Sequence, residues 1–236
     1  MATVFRIWLM RSVLATLYKL VIGLMASVAL AAEQMPIEMR FKVSLDDKPI
    51  GYHTFTIRRE GQTEVVDIKA EFDVSVLFIP VYSYRHQNTE VWRDGCLMRI
   101  DSRTDDNGEY YRVNGERRNE TFDLVAGDQA RTLPAGCIMT FAYWNPEFLA
   151  QSHLLNAQNG EYIEVKIERL ETESIQLNNG EVPVEGFRVR SADRELDIRV
   201  WYMRDSRRWL ALESTVENGR TLRYVPAATE GLASAL

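Results

Sequence analysis

The sequence predicts an all-β protein, built as a strongly curved antiparallel sheet or an open or closed β-barrel with one short helix. Two observations carry this. Almost every segment alternates apolar and polar side chains with period two and ends in turn residues, which is the pattern of antiparallel strands with one buried face. A chain of many such short strands, with no helix strong enough for parallel βαβ units, must also deal with its sheet edges. It does so by closing into a barrel or by curling around something apolar.

The strands follow in order. "IEMRFKVSL" runs into Asp46-Asp47 and "YHTFTIRRE" into Gly61-Gln62. "EVVDIKAEFDVSVLFIPVYSY" reads as one long strand that grows more apolar toward Pro80 and passes into a buried bend, with Pro80 at an edge or a break. Asp94-Gly95 and Asn107-Gly108 both favour the positive φ of tight hairpins, and they divide the stretch from His86 to Glu116 into two or three strands. "NETFDLVAGDQARTLPAG" continues the pattern. The second half repeats it in "EYIEVKIERLE", "ESIQLNNG", "VPVEGFRVRS", "ELDIRVWYMRD", "RRWLALESTVENG" and "RTLRYV".

One stretch departs from this rhythm, "GCIMTFAYWNPEFLAQSHLL" from Gly136 to Leu155. Asn145 is a good N-cap, Pro146 suits the first helical position, and Glu147 complements the helix dipole. Phe148, Leu149, Ser152 and Leu155 then share a helical face, which predicts a helix over Pro146 to Leu155 lying on the sheet. With Phe141, Tyr143 and Trp144 directly ahead of it, this segment caps or plugs the trough of the sheet, or forms a lid over a ligand.

The compartment is read from the start of the chain. Arg6, Arg11 and Lys19 precede an uncharged run to Ala32 that ends in Ala29-Leu30-Ala31, which reads as a secretory signal peptide over residues 1–31. The alternative is an uncleaved anchor, for which the uninterrupted run is shorter than the roughly 20 residues of a span. The expected organisation is then a single β-rich domain over 32–226, a loosely held tail over 227–236, no stable membrane span after cleavage, and a periplasmic or secreted location. The segment holds no acidic residue, so 25 basic side chains remain against 34 acidic ones, a formal charge of −9. That disfavours nucleic acid and anionic lipid surfaces as partners. Cys96 and Cys137, an even pair in an oxidising compartment, predict a disulfide. A redox-active pair would need the Cys-x-x-Cys spacing that lowers a thiol pKa.

Several phrases taken together resemble an uncharacterised family of exported bacterial proteins that share a domain of unknown function. They are "LDDKPIGYHTF", "YSYRHQNTEVWRDGCL", "SRTDDNG", "TFAYWNP", "IRVWY" and "WLALES". The resemblance implies an all-β periplasmic fold and no established activity, so it assigns no catalytic residue. A broader similarity, in "LDIRVWYMRDSRRWLALES", is to the periplasmic lipoprotein carriers that hold acyl chains in an incomplete barrel. It implies a shared style of fold, and one fold hosts many functions.

Residues able to carry chemistry are few. His53, His86 and His153 lie in no ligand motif, and no cofactor or metal is implied. His86 and Glu90 share a strand face, as an acid-base or metal pair or as a polar pair on a solvated rim. "DDNGE" at Asp105 to Glu109 invites calcium but lacks the full EF-hand spacing, and a hairpin turn accounts for it. No Gly-x-Ser-x-Gly elbow is present, so nothing supports a serine hydrolase.

The candidate binding wall is a polar-aromatic stripe of His53 with Tyr82, Tyr84 and His86, formed if their two strands pair, with Tyr52, on the face opposite His53, and Phe141, Tyr143, Trp144 and Trp201 as further candidates. For each of these, core packing is the competing reading. The function that follows is a non-enzymatic binding or carrier module for an apolar or lipid-like envelope ligand. One alternative is a structural or assembly factor that binds an envelope protein through a strand edge or the aromatic helix. The other is an enzyme acting on envelope glycan or lipid through Glu90, Asp105 or Asp106.

Overall fold

Alternation becomes burial from the first strand onward. In β1 (Ile37–Leu45), Phe41, Val43 and Leu45 turn into the core while their neighbours stay toward solvent. Asp46 and Asp47, both at positive φ, reverse the chain into β2 (Lys48–Glu60). The computed structural model of the protein describes residues 35–227 apart from 135, 172, 178–179 and 194. The expected signal segment and all of the expected tail beyond Ala227 lie outside the described residues.

A meander follows through β3 (Thr63–Val76), β4 (Ile79–Arg93), β5 (Cys96–Asp106), β6 (Glu109–Arg118), β7 (Thr121–Ala126) and β8 (Gln129–Leu133). After the irregular stretch come β9 (His153–Leu155), β10 (Tyr162–Arg169), β11 (Glu173–Leu177), β12 (Gly180–Ser191), β13 (Asp197–Met203), β14 (Trp209–Thr215) and β15 (Thr221–Pro226). Among the described residues these 15 strands form one antiparallel sheet in the order 8-7-6-5-4-3-2-1-15-14-13-12-10-9, with β11 also on β12. Asp94-Gly95 and Asn107-Gly108 make the expected turns, all four residues at positive φ.

The sheet is open, since β8 and β9 end the pairing order. Its margins nevertheless meet: Arg131 on β8 donates to the Gly160 carbonyl. A Cβ on Gly160 would lie 2.6 Å from that of Ala126, so glycine permits this approach of chain to sheet.

The stretch between β8 and β10 runs through the interior as a plug. Ile138, Met139, Phe148, Leu154 and Leu155 are each at most 1% exposed. The plug is held by Leu97 N–H to the Ile138 carbonyl (2.9 Å), Leu155 N–H to that of Met139 (2.8 Å) and Val165 N–H to that of Ser152 (2.8 Å). Cys137, at its start, is joined to Cys96 at the start of β5.

The predicted helix is shorter than expected. The Asn145 side chain caps it by accepting from Glu147 N–H (3.1 Å), but only a 3-10 turn over Pro146–Ala150 forms. Gln151 is already extended, and His153–Leu155 pair with β10 as a strand, because Leu154 and Leu155 gain full burial there and would gain less on one helical face.

Candidate functional site

Register places the inward side chains in rows across the sheet. Phe41, His53, Ala70, His86 and Thr104 face one another across β1 to β5, and Met39, Phe55, Ile68, Asn88 and Ser102 form the next row. His53 and His86 share one row and Tyr84 lies in the adjoining one, but β2 and β4 do not pair as the expected stripe requires. β3 lies between them and contributes Ala70, whose side chain ends at a methyl. His53 stacks on Phe55 (ring centroids 4.4 Å apart), Phe72 on Tyr84 (5.3 Å), and Tyr143 of the plug lies 5.3 Å from Trp209.

Polar groups cross this interior. Tyr84 donates to Gln158 of the plug (3.1 Å), whose amide donates to Asp106 (3.0 Å), which also accepts from Tyr82 (2.6 Å). His86 Nδ1 lies 2.9 Å from Thr104 Oγ1. Both nitrogens of His53 are sealed without a partner, as are Asn88 Oδ1, Ser102 Oγ and Trp144 Nε1. Burial, reinforced by His86, pushes the His53 pKa down to about 3, and burial takes His86 to about 4, so both imidazoles are neutral at physiological pH.

Glu90 is not on a solvated rim. It is 1% exposed, accepting from Asn88 Nδ2 (2.8 Å) and Trp92 Nε1 (2.9 Å). Burial raises its pKa to about 7 against the opposing hydrogen bonds from Asn88, Trp92 and Thr140.

This arrangement does not assemble a carboxylate pair. Glu90 stands opposite Ile100, Asp106 opposite Tyr84 and Asp105 opposite Arg85. Glu90 and Tyr84 are thus about 20 Å apart along β4 at the ordinary strand rise. Asp105 Oδ1 is taken by Gly108 N–H (2.8 Å) in the hairpin turn. Among the described residues no three His, Cys, Asp or Glu side chains converge as metal ligands, and no helix is long and apolar enough to cross a membrane.

Two members of the proposed wall, Tyr52 and Trp201, point elsewhere. Tyr52 is 43% exposed on the outer face, with the Arg40 guanidinium 4.1 Å from its ring centre. Trp201 packs in a separate cluster with Val184, Met203 and Leu210, where a bulge between Trp201 and Tyr202 shifts the register. Trp144 meets Trp92 edge to face at 5.5 Å, and Phe141 lies 6.4 Å from Tyr143; both are half-buried. A surface cleft of about 480 Å³ opens between Arg40, Tyr52 and Trp209 and is lined by neither His53 nor His86.

The feature least visible in the sequence is a ribbon projecting from the sheet. β2 pairs with β3 no further than Gly51↔Phe72, and β5 pairs with β4 no further than Tyr84↔Asp106. β3 and β4 continue together from Asp73↔Ser83 to Val76↔Ile79, about 13 Å beyond their last pairings with β2 and β5 at the ordinary rise. The expected buried bend is instead an exposed hairpin tip, with Leu77 86%, Phe78 100% and Ile79 65% accessible. Leu77 (φ 49°) and Phe78 (φ 69°) make the turn in the left-handed region, where bulky side chains cost about 1–2 kcal/mol each.

The crystal structure of a β-barrel-like protein of the domain of unknown function DUF1849, from Brucella abortus, is similar to this chain with a TM-score of 0.60 at 10% identity, over 83% of this chain and 97% of that one. At that identity the likeness is one of fold alone. No curated protein matches the sequence. The family model of the domain of unknown function DUF6134 matches residues 41–227, the sheet from β1 through β15 with its plug, and the chain belongs to that family.

Proposed function

We propose that the protein is a non-enzymatic docking module of the cell envelope, an assembly or structural factor that presents the ribbon of residues 73–83 to another protein. The observation that carries this is the fully exposed apolar tip, Leu77-Phe78-Ile79, held in a strained turn on two strands that extend beyond the sheet. Solvent does not select such a tip, and burying Phe78 alone against a partner is worth about 2 kcal/mol, roughly thirty-fold in affinity. The interior supports this reading over an acyl-chain carrier, because the plug's side chains occupy the space a ligand would need. The signal-like leader and the Cys96–Cys137 disulfide support an envelope location.

The test compares native complexes of the exported wild type with those of Phe78→Asp, a change at a wholly exposed site that leaves the fold intact. A higher-mass species present for the wild type and absent for the variant is expected. Identical migration of the two would overturn the docking reading. A lipid-sized mass carried by the protein, lost on denaturation, would restore the carrier.

A further inference from the structure

The two edges of the ribbon are not equivalent. On the β4 side, Asn107 N–H already donates to the Ser83 carbonyl (2.8 Å), and Pro80 has no N–H to offer. Both features blunt an edge against further pairing. On the β3 side, the pairing with β2 ends at Gly51↔Phe72, two residues after Pro49, and residues Asp73–Val76 pair with no strand on that side among the described residues. That short edge, Asp-Val-Ser-Val, has no proline, and its valines suit a strand.

The surroundings say what kind of surface can meet it. In a hydrocarbon layer, each unpaired N–H and C=O of an open edge costs several kcal/mol, so lipid-exposed ribbons of this kind do not insert. Asp73, Asp105, Asp106 and Glu109 gather at the foot of the ribbon, with Arg85 interspersed and bound to both Asp73 oxygens at 2.8 and 2.9 Å. The remaining negative charge repels an anionic bilayer and complements a basic protein rim.

Resting on the docking reading above, we infer that the partner is a protein that adds a strand to the free edge of β3 at Asp73–Val76. An apolar groove of the same partner, bordered by basic side chains, receives Leu77, Phe78 and Ile79. Main-chain hydrogen bonds along β3 then supply register, and the tip supplies the apolar anchor, the division of labour usual in strand addition.

The experiment places p-benzoylphenylalanine in turn at positions 75, 78 and 81 of the full chain, irradiates the producing cells, and repeats position 75 with Leu77→Asp. The expected result is one protein adduct of the same mass from positions 78 and 75, roughly five-fold weaker from position 81, and lost from position 75 when Leu77 is Asp. Equal adducts from positions 75 and 81 would overturn strand addition at β3 while leaving the docking reading in place. No adduct from position 78 would overturn both. An adduct of lipid mass, or one of twice the chain's own mass, would overturn the commitment to a separate protein partner.

Discussion

Glu90→Gln should leave the protein folded and remove a specific slope from its stability against pH. Glu90 is enclosed in the core, and burial lifts its pKa from 4.5 to about 7. The sign follows from which state releases the proton first. Above pH 4.5 the unfolded chain gives up the Glu90 proton, while the folded chain keeps it until about pH 7. Stability therefore falls as pH rises through that window, by about 1.4 kcal/mol per pH unit and about 3 kcal/mol in total, and is level above it.

A glutamine cannot ionise. Its amide nitrogen would face the Asn88 donor, but Asn88 Oδ1 has no partner, so turning the Asn88 amide over makes it the acceptor. Urea unfolding of the oxidised proteins at about pH 5 and about pH 8 should then show the variant gaining about 2–3 kcal/mol on the wild type between the two conditions. His53 and His86 titrate in both proteins and cancel in the difference. Parallel stability curves would refute the account of Glu90 as a buried, neutral-leaning acid.

Replacing Leu77-Phe78 with Asn-Gly, a pair at ease in the left-handed turn, should raise stability by about 1–2 kcal/mol per relieved residue in urea titrations, and should abolish partner binding. His53→Phe should stabilise by about 1–3 kcal/mol at neutral pH, since it removes two sealed and unpartnered nitrogens. That advantage should widen as pH falls from 6.5 toward 3, where the unfolded chain takes up the His53 proton and the folded chain does not; a loss of stability would mean that those nitrogens hold something. The double change Cys96→Ser and Cys137→Ser, opening a loop with a sequence separation of 41, should cost about 4 kcal/mol by calorimetry; a cost near zero would mean that the unfolded chain is already constrained there.

Most of the sheet was legible because its turns use residues built for them. Asp46-Asp47, Asp94-Gly95 and Asn107-Gly108 tolerate positive φ, and the alternation between them locates the strands to within a few residues. The ribbon was missed for the same physical reason. Its turn falls on Leu77-Phe78, residues that ordinarily avoid that conformation, so an apolar run that looked like a passage into the core is a hairpin facing water. Spacing by two correctly grouped His53 with Phe55 and Tyr84 with His86, but it could not say that β3 would lie between them. Face assignments also depend on register. Tyr52 alternates outward next to inward His53, and Trp201, next to inward Tyr202, likewise faces the other side of the sheet. The burial of Glu90 left no signal in "HQNTEVW", since a polar inward row looks like an exposed one until the plug is in place.

The seam between β1 and β15, from Phe41↔Pro226 to Leu45↔Leu222, joins the first strand to the last among the described residues. The meander from β1 to β8 needs only next-neighbour hairpins and can zip as it emerges, but one side of β1 stays bare until β15 has been synthesised. Throughout that interval another molecule's β15 is as good a mate as its own. Crowded nascent chains are therefore exposed to strand-exchanged dimers, and refolding yield should drop with protein concentration even where the finished monomer is stable.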